Sequence, residues 1–268
     1  MKVVGIVAEY NPFHNGHMYH IEEAKKLTGA DYLVVVMSGN FVQRGGPAII
    51  DKYARAQAAI EYGADLVLEL PVIYATASAE YFALGAISLL DKLGIVDYLC
   101  FGSEAGDVKS LTAVAEYLLS NKEDYNKDIN KYMKSGMTFP EARQKALKKN
   151  NPDLDDNTIS SPNNILGVEY IKALLSLNSD IKPTTISRKI AGYHEPNLNT
   201  NGQIKHISSA TSIRKAIVND ADNSDNSGIG IIESHIPKKT YELLERQYKK
   251  TFPISKKDYT PLLKYKIL

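Results

Sequence analysis

The chain has 268 residues, 44% hydrophobic and 24% charged, with one Cys and no Trp, enough to bury one large core or two smaller ones. A single Cys excludes an intrachain disulfide and a thiolate zinc cage, and apolar runs such as 32–37 and 64–70 are too short to span a bilayer. The net charge of +1 divides unevenly: residues 1–120 carry 8 Lys and Arg against 14 Asp and Glu, residues 121–268 carry 24 against 17. A polyanion-facing second half and a lysine-rich solvated surface both give such numbers. The N-terminus enters a strand-like stretch rather than a charged-then-apolar leader, so a cytoplasmic protein is expected.

In chain order, the β-branched run Lys2–Ala8 predicts a strand, Met18–Leu27 a helix, Tyr32–Met37 a strand, and the Ala-rich Tyr53–Tyr62 a helix. Asp65–Leu70 reads as a third strand, Ser78–Leu93 as a helix and Tyr98–Phe101 as a fourth strand containing Cys100, a core residue by its neighbours. Short apolar strands alternating with helices predict an α/β fold, a Rossmann-like doubly wound parallel sheet. From Asp107 to about Asn150 the pattern is helical, clearest at Leu111–Leu119 and Phe139–Leu147. Asn164–Leu175 is a helix introduced by Ser161-Pro162, Thr184–Ile190 a late strand and Thr211–Val218 a short helix. The Asp/Asn/Ser/Gly tract Asn219–Gly230 predicts a mobile loop, and Pro237–Tyr248 a helix. Tyr259–Leu268 alternates apolar and basic residues without a stop signal, which suggests a chain cut short or an end that docks elsewhere.

The first strand is followed by Glu9-Tyr10-Asn11-Pro12-Phe13-His14-Asn15-Gly16-His17, running straight into a helix. Such a loop presents free backbone N–H groups and a positive dipole end to a phosphate, and Gly16 permits close approach. His14 and His17, three residues apart, can face one point and donate to a triphosphate. The competing reading is a helix cap or a chance metal pair; His20, one turn on, suits packing.

His14-Asn15-Gly16-His17 resembles the HxGH signature of the nucleotidyltransferase superfamily. Ile207-Ser208-Ser209-Ala210-Thr211-Ser212-Ile213-Arg214 resembles its second motif, ISSTxIR, with one extra residue. A closer resemblance, through Gly5–Tyr19, Met37–Gly45, Asp65–Pro71, Phe101–Glu104 and Ser161–Leu166, is to the tRNA(Met) cytidine acetate ligases. It covers residues 1 to about 250. The resemblance implies a nucleotidyltransferase-type sheet domain over 1–215 with a helical insertion at about 107–180. Residues 216–268 would then begin a truncated, basic, helical tRNA-binding region, because the family usually continues well past residue 268.

What the resemblance implies for activity is use of ATP and acetate to form acetyl-adenylate, then acetylation of N4 of the wobble cytidine of elongator tRNA(Met). It places ATP against Val7, Ala8, Glu9, Tyr10, Asn11, Pro12, Phe13, His14, Asn15, Gly16, His17, Met18, Tyr19 and His20. It adds Gly102, Asn163, Arg188 with Lys189, and Ser209, Thr211 and Arg214 on the phosphates. Each has a plainer reading: Gly102 a turn glycine, Asn163 a helix cap, Arg188 a surface arginine. His14, His17 and Arg44 are the expected catalytic residues, Arg44 as the cation for acetate; Asp51 and Arg55 beyond it read alternatively as an i,i+4 pair. Magnesium is expected to arrive on the phosphates, with no protein-held metal. The lysines Lys145, Lys148, Lys149, Lys238, Lys239, Lys249, Lys250, Lys256 and Lys257, with Tyr248, Tyr259 and Tyr265 among them, form the expected RNA face. Two rival readings share the motifs: a small-molecule adenylyltransferase acting on nicotinamide or pantetheine phosphates, and a non-catalytic nucleotide- or RNA-binding module.

Overall fold

The computed structural model describes residues 1–43, 45–150, 160–187, 209–222 and 228–267. Five parallel strands, β1 (Val3–Ala8), β2 (Tyr32–Ser38), β3 (Leu66–Leu70), β4 (Tyr98–Ser103) and β5 (Lys182–Ser187), form one sheet in the order β3-β2-β1-β4-β5. Neighbouring residues along each strand face opposite sides, and the sequence is apolar on both. Val34 and Val36 enter one core with Leu99 and Phe101, whereas Leu33, Val35 and Met37 enter the other with Val4, Ile6 and Cys100. The expected doubly wound sheet is therefore present.

Helices α1 (Asn15–Thr28) and α2 (Lys52–Glu61) cover the Cys100 face. Across the sheet lie α4 (Ala79–Lys92), α5 (Val108–Ser120) and α8 (Pro162–Ser176), with α3 (Val72–Ala75), α6 (Lys122–Lys134) and α7 (Phe139–Asn150) alongside. Aspartate side chains fix where strands begin: Asp97 accepts from Val3 N–H at 2.7 Å and Asp65 from Leu33 N–H at 2.7 Å. Gly5 has no room for a side chain, since a Cβ there would lie 2.9 Å from Leu90 Cδ1.

Sheet register explains where a ligand can enter. β1 pairs with β2 along its whole length, from Val3–Tyr32 to Ala8–Met37, but with β4 only at Val4–Tyr98 and Gly5–Leu99. Beyond those pairs β1 and β4 part, and the chain winds away from this point in opposite directions. A crevice opens there at the carboxyl ends of the strands, the usual ligand position in such sheets.

After β5 come α9 (Ala210–Asp222), a 3-10 segment Gly228–His235, α10 (Lys238–Gln247), a 3-10 turn Lys256–Tyr259 and α11 (Thr260–Ile267). Ile213, Ile217, Ile229, Ile232, Ile236, Leu243, Leu244 and Phe252 bury a third core together with Ile49, Ile50 and Ala54. The C-terminal stretch thus packs on the loop that follows β2. Two sequence expectations change. The helix expected over 211–218 continues to Asp222, and Gly228–His235 is 3-10, so the 219–230 tract is not simply a loop; residues 223–227 lie outside those described. The late strand is Lys182–Ser187 rather than 184–190, of which 188–190 are not described. Among the described residues no helix is long and apolar enough to cross a membrane.

Candidate functional site

The crevice between β1 and β4 widens into a cleft of about 840 Å³. Its floor is Val7, Ala8, Phe101 and Gly102, and its walls come from the 9–20 segment, the turn after β2, the starts of α4 and α8, and the start of α9.

His14 is the N-cap of α1, extended at φ −138° and ψ 173°. Its Nδ1 accepts from Gly16 N–H at 3.1 Å, while His17 Nδ1 accepts from His14 N–H at 3.2 Å. This is a capping box made by two imidazoles, and their rings stack with centroids 3.6 Å apart. An Nδ1 that accepts a backbone N–H carries no proton, so each neutral ring bears its proton on Nε2. The cap reading and the ligand reading are thus compatible: one nitrogen organises the helix start and leaves the other as a donor type.

Tyr10 adopts φ 48°, unusual for a bulky side chain, and its buried ring lies edge-on to Phe13 at 4.9 Å and to His17 at 4.8 Å. Burial pushes its phenol far above the ordinary range. Arg214 brings the two motifs together: one guanidinium nitrogen donates to Asn11 O at 2.7 Å, the other to Thr211 Oγ1 at 3.1 Å. Ser209 caps α9, its Oγ accepting from Ser212 N–H at 3.1 Å. Two helix N-termini, those of α1 and α9, consequently open on one cleft, a place suited to an oligophosphate.

On the opposite side Asn163 does not cap α8, as one sequence reading had it; the N-cap is Ser161. Asn163 Nδ2 donates to Glu104 Oε1 at 2.6 Å, and Asn164 Oδ1 accepts from Glu104 N–H and Ala105 N–H at 2.9 and 3.1 Å. The segments after β4 and before α8 are locked together beside Gly102.

Of the expected residues, Val7, Ala8, Glu9, Tyr10, Asn11, His14, Gly16, His17, Tyr19, His20, Gly102, Asn163, Ser209, Thr211 and Arg214 line the cleft. Pro12, Phe13, Asn15 and Met18 are not among its lining. Phe13 is core, Met18 packs against the same core, and Asn15 Nδ2 donates to Ser234 O at 2.9 Å. Arg44, Arg188 and Lys189 lie outside the described residues. Among described residues no group of three or more His, Cys, Asp or Glu could hold a metal.

A family model described as HIGH Nucleotidyl Transferase matches residues 1–268. The chain belongs to that family. It is 46% identical over 270 residues to the tRNA(Met) cytidine acetate ligase of Acetivibrio thermocellus, covering 98% of this chain and 62% of the relative. With the protein of the same name from a Thermoanaerobacter species, identity is 47% over 99% of this chain and 64% of the relative. A crystal structure of Thermotoga maritima TmcAL bound with alpha-thio ATP superposes with a TM-score of 0.83 at 38% identity, covering 99% of this chain and 61% of that one. The chain therefore spans a little over three-fifths of the length of these relatives.

Family motifs point to His14, His17 and Arg214; two further residues are apparent only in the folded chain. Arg55, 1% exposed, is not paired with Asp51 in the manner of a surface i,i+4 pair. It donates to Glu9 O at 2.6 Å, Ser38 O at 3.1 Å, Ile50 O at 3.2 Å and Gly39 O. Burial lowers its pKa to about 10, so it stays charged at neutral pH. Asp51 instead caps α2 through Tyr53 N–H and Ala54 N–H. Arg55 thus ties the ends of β1 and β2 to the following loop, while Glu9 Oε1 accepts from Gln43 N–H at 2.9 Å on the rim. The other is Lys256, read from sequence as part of an RNA face, which lines the cleft.

Proposed function

We propose that this chain is the ATP-binding, acetate-activating part of a tRNA(Met) cytidine acetate ligase. The observation that carries the reading is the hydrogen bond from Arg214 to Asn11 O, which sets the second motif against the first at the mouth of one cleft. Supporting it are the names of the relatives and the ATP analogue bound by the Thermotoga protein.

In this reading the triphosphate lies between the starts of α1 and α9, held by Ser209, Thr211 and Arg214, with His14 and His17 donating from Nε2. Adenosine lies towards Gly102 and Asn163, whose amide is pre-set by Glu104. Arg44, Arg188 and Lys189 complete the anion contacts by resemblance alone. An acetate oxygen attacks the α-phosphorus, the bond to the bridging oxygen breaks, and pyrophosphate leaves. The N4 amine of cytidine then attacks the acetyl carbonyl, AMP departs and the amine loses a proton. No covalent enzyme intermediate is needed; the residues position the reactants and stabilise charge as it moves to the leaving oxygen. Among the described lining residues the carboxylate is Glu9, already bonded to Gln43 N–H, so magnesium would be held by phosphate oxygens and water. We assign ATP binding to 1–215 and delivery of tRNA to the basic stretch from 216 onward, in a cytoplasmic enzyme.

The test is incubation with ATP, acetate and a tRNA(Met) transcript, following pyrophosphate release and RNA mass. Acetate-dependent AMP formation with an acetyl mass gain on the RNA is expected. Turnover indifferent to acetate but dependent on a nucleotide monophosphate or phosphopantetheine would sink the proposal.

A further inference from the structure

One wall of the cleft is assembled from segments some two hundred residues apart. Val42, Gln43, Gly46 and Pro47 line it from the turn after β2, and Lys256 lines it from the 3-10 turn Lys256–Tyr259. The docking is specific. Ile254 N–H donates to Ile49 O at 2.7 Å, Phe41 meets Tyr259 edge-on at 5.4 Å, and a Cβ on Gly46 would sit 3.5 Å from Lys256 Cε. A capping box fixes the start of the turn, with Ser255 N–H donating to Asp258 Oδ2 at 2.6 Å and Lys257 N–H to Ser255 Oγ at 3.2 Å.

Charge then separates Lys256 from its neighbours. Among the described lining residues the permanent cations are Arg214 and Lys256. Arg214 is engaged with Asn11 O and Thr211 Oγ1, whereas the Lys256 ammonium makes no hydrogen bond or ion pair with a described residue. Glu9 adds negative charge to the same cleft. An oligophosphate or carboxylate entering such a space is held by charge-assisted bonds, and an ammonium on a four-carbon stem at the rim can follow it inward.

We propose that Lys256 is an anion-binding residue of the cleft, its ammonium donating to an anionic oxygen of a substrate: a terminal phosphate of ATP or the carboxylate of acetate. This rests on the proposed function for the identity of the anions. It also assigns the 249–259 stretch to the site rather than to an RNA face alone.

The experiment titrates ATP, and separately tripolyphosphate, into wild type, Lys256→Ala, Lys256→Arg and Lys92→Ala by calorimetry. It then measures the acetate concentration for half-maximal pyrophosphate release. Lys92, exposed at the far end of α4, controls for net charge. If the phosphate is the partner, Lys256→Ala weakens ATP and tripolyphosphate roughly tenfold, with Lys256→Arg partly restoring them and Lys92→Ala unchanged. If the carboxylate is the partner, ATP affinity holds and the acetate requirement rises by a similar factor. Unchanged affinities for ATP, tripolyphosphate and acetate in Lys256→Ala overturn the inference while leaving the proposed function standing. A wild type that binds tripolyphosphate through Lys256 but neither binds ATP nor uses acetate overturns the proposed function while leaving the anion site. A wild type that binds neither phosphate probe and does not use acetate overturns both.

Discussion

His17 serves two purposes through two nitrogens, and a substitution can separate them. Asn places an acceptor near the position of Nδ1 but has nothing at Nε2. His17→Asn is therefore expected to keep the α1 cap, with stability within about 1 kcal/mol of wild type, while adenylate formation falls roughly hundredfold. Chemical denaturation and acetate-dependent pyrophosphate release check the two halves. Tyr10 gives the reverse case: its hydroxyl is buried with no hydrogen-bond partner among the described residues. Tyr10→Phe removes a desolvated polar atom and keeps the ring contacts with Phe13 and His17, so stability is expected to hold or rise by about 1 kcal/mol; a loss above that, by urea midpoint, contradicts the reading. His14 and His17 were legible in the sequence because cap and motif are local, with the capping partners within three residues. Lys256 was not, because its role depends on Gly46 and Ile49, which no spacing rule connects to it.

At the scale of elements, α1 begins at Asn15, three residues before the apolar spacing indicated, because its first turn is specified by the paired histidines rather than by a hydrophobic stripe. The strands were legible from their β-branched runs, and the short α3 was hidden by its exposed apolar residues Val72 and Ile73. Arg55 looked like one charge in a mixed helix start; burial and four carbonyl partners, three of them at strand ends remote in sequence, make it a positioning residue. Arg55→Lys cannot span Glu9, Ser38, Gly39 and Ile50 at once, and orphaned buried carbonyls cost about 1–3 kcal/mol each. We expect a loss of at least about 3 kcal/mol by denaturant titration, with an increased KM for ATP in whatever folds. Asp107 caps α5, its pKa lowered by bonds from Lys109 N–H and Ser110 N–H. A carboxyl depressed on folding contributes stability above its unfolded pKa and loses it as pH falls through the lower folded value. Asp107→Asn should therefore narrow its gap from wild type as pH drops below the usual carboxylate range; a gap that widens in acid contradicts the cap.

Across the whole molecule, the sheet order and the parting of β1 from β4 place the cleft, and the third core presses the C-terminal stretch onto the loop that forms the cleft's rim. The doubly wound class followed from alternating strands and helices. The shared core of residues 49–54 with 213–252 did not, since isoleucines spread over two hundred positions carry no local sign of a common face. The proposed function requires that two distant motifs form one site for ATP that activates acetate. Pyrophosphate exchange into ATP measures this without requiring tRNA. Exchange is expected to appear on adding acetate and to be lost in Arg214→Ala; exchange absent with acetate, or equally fast without it, would contradict the proposed function.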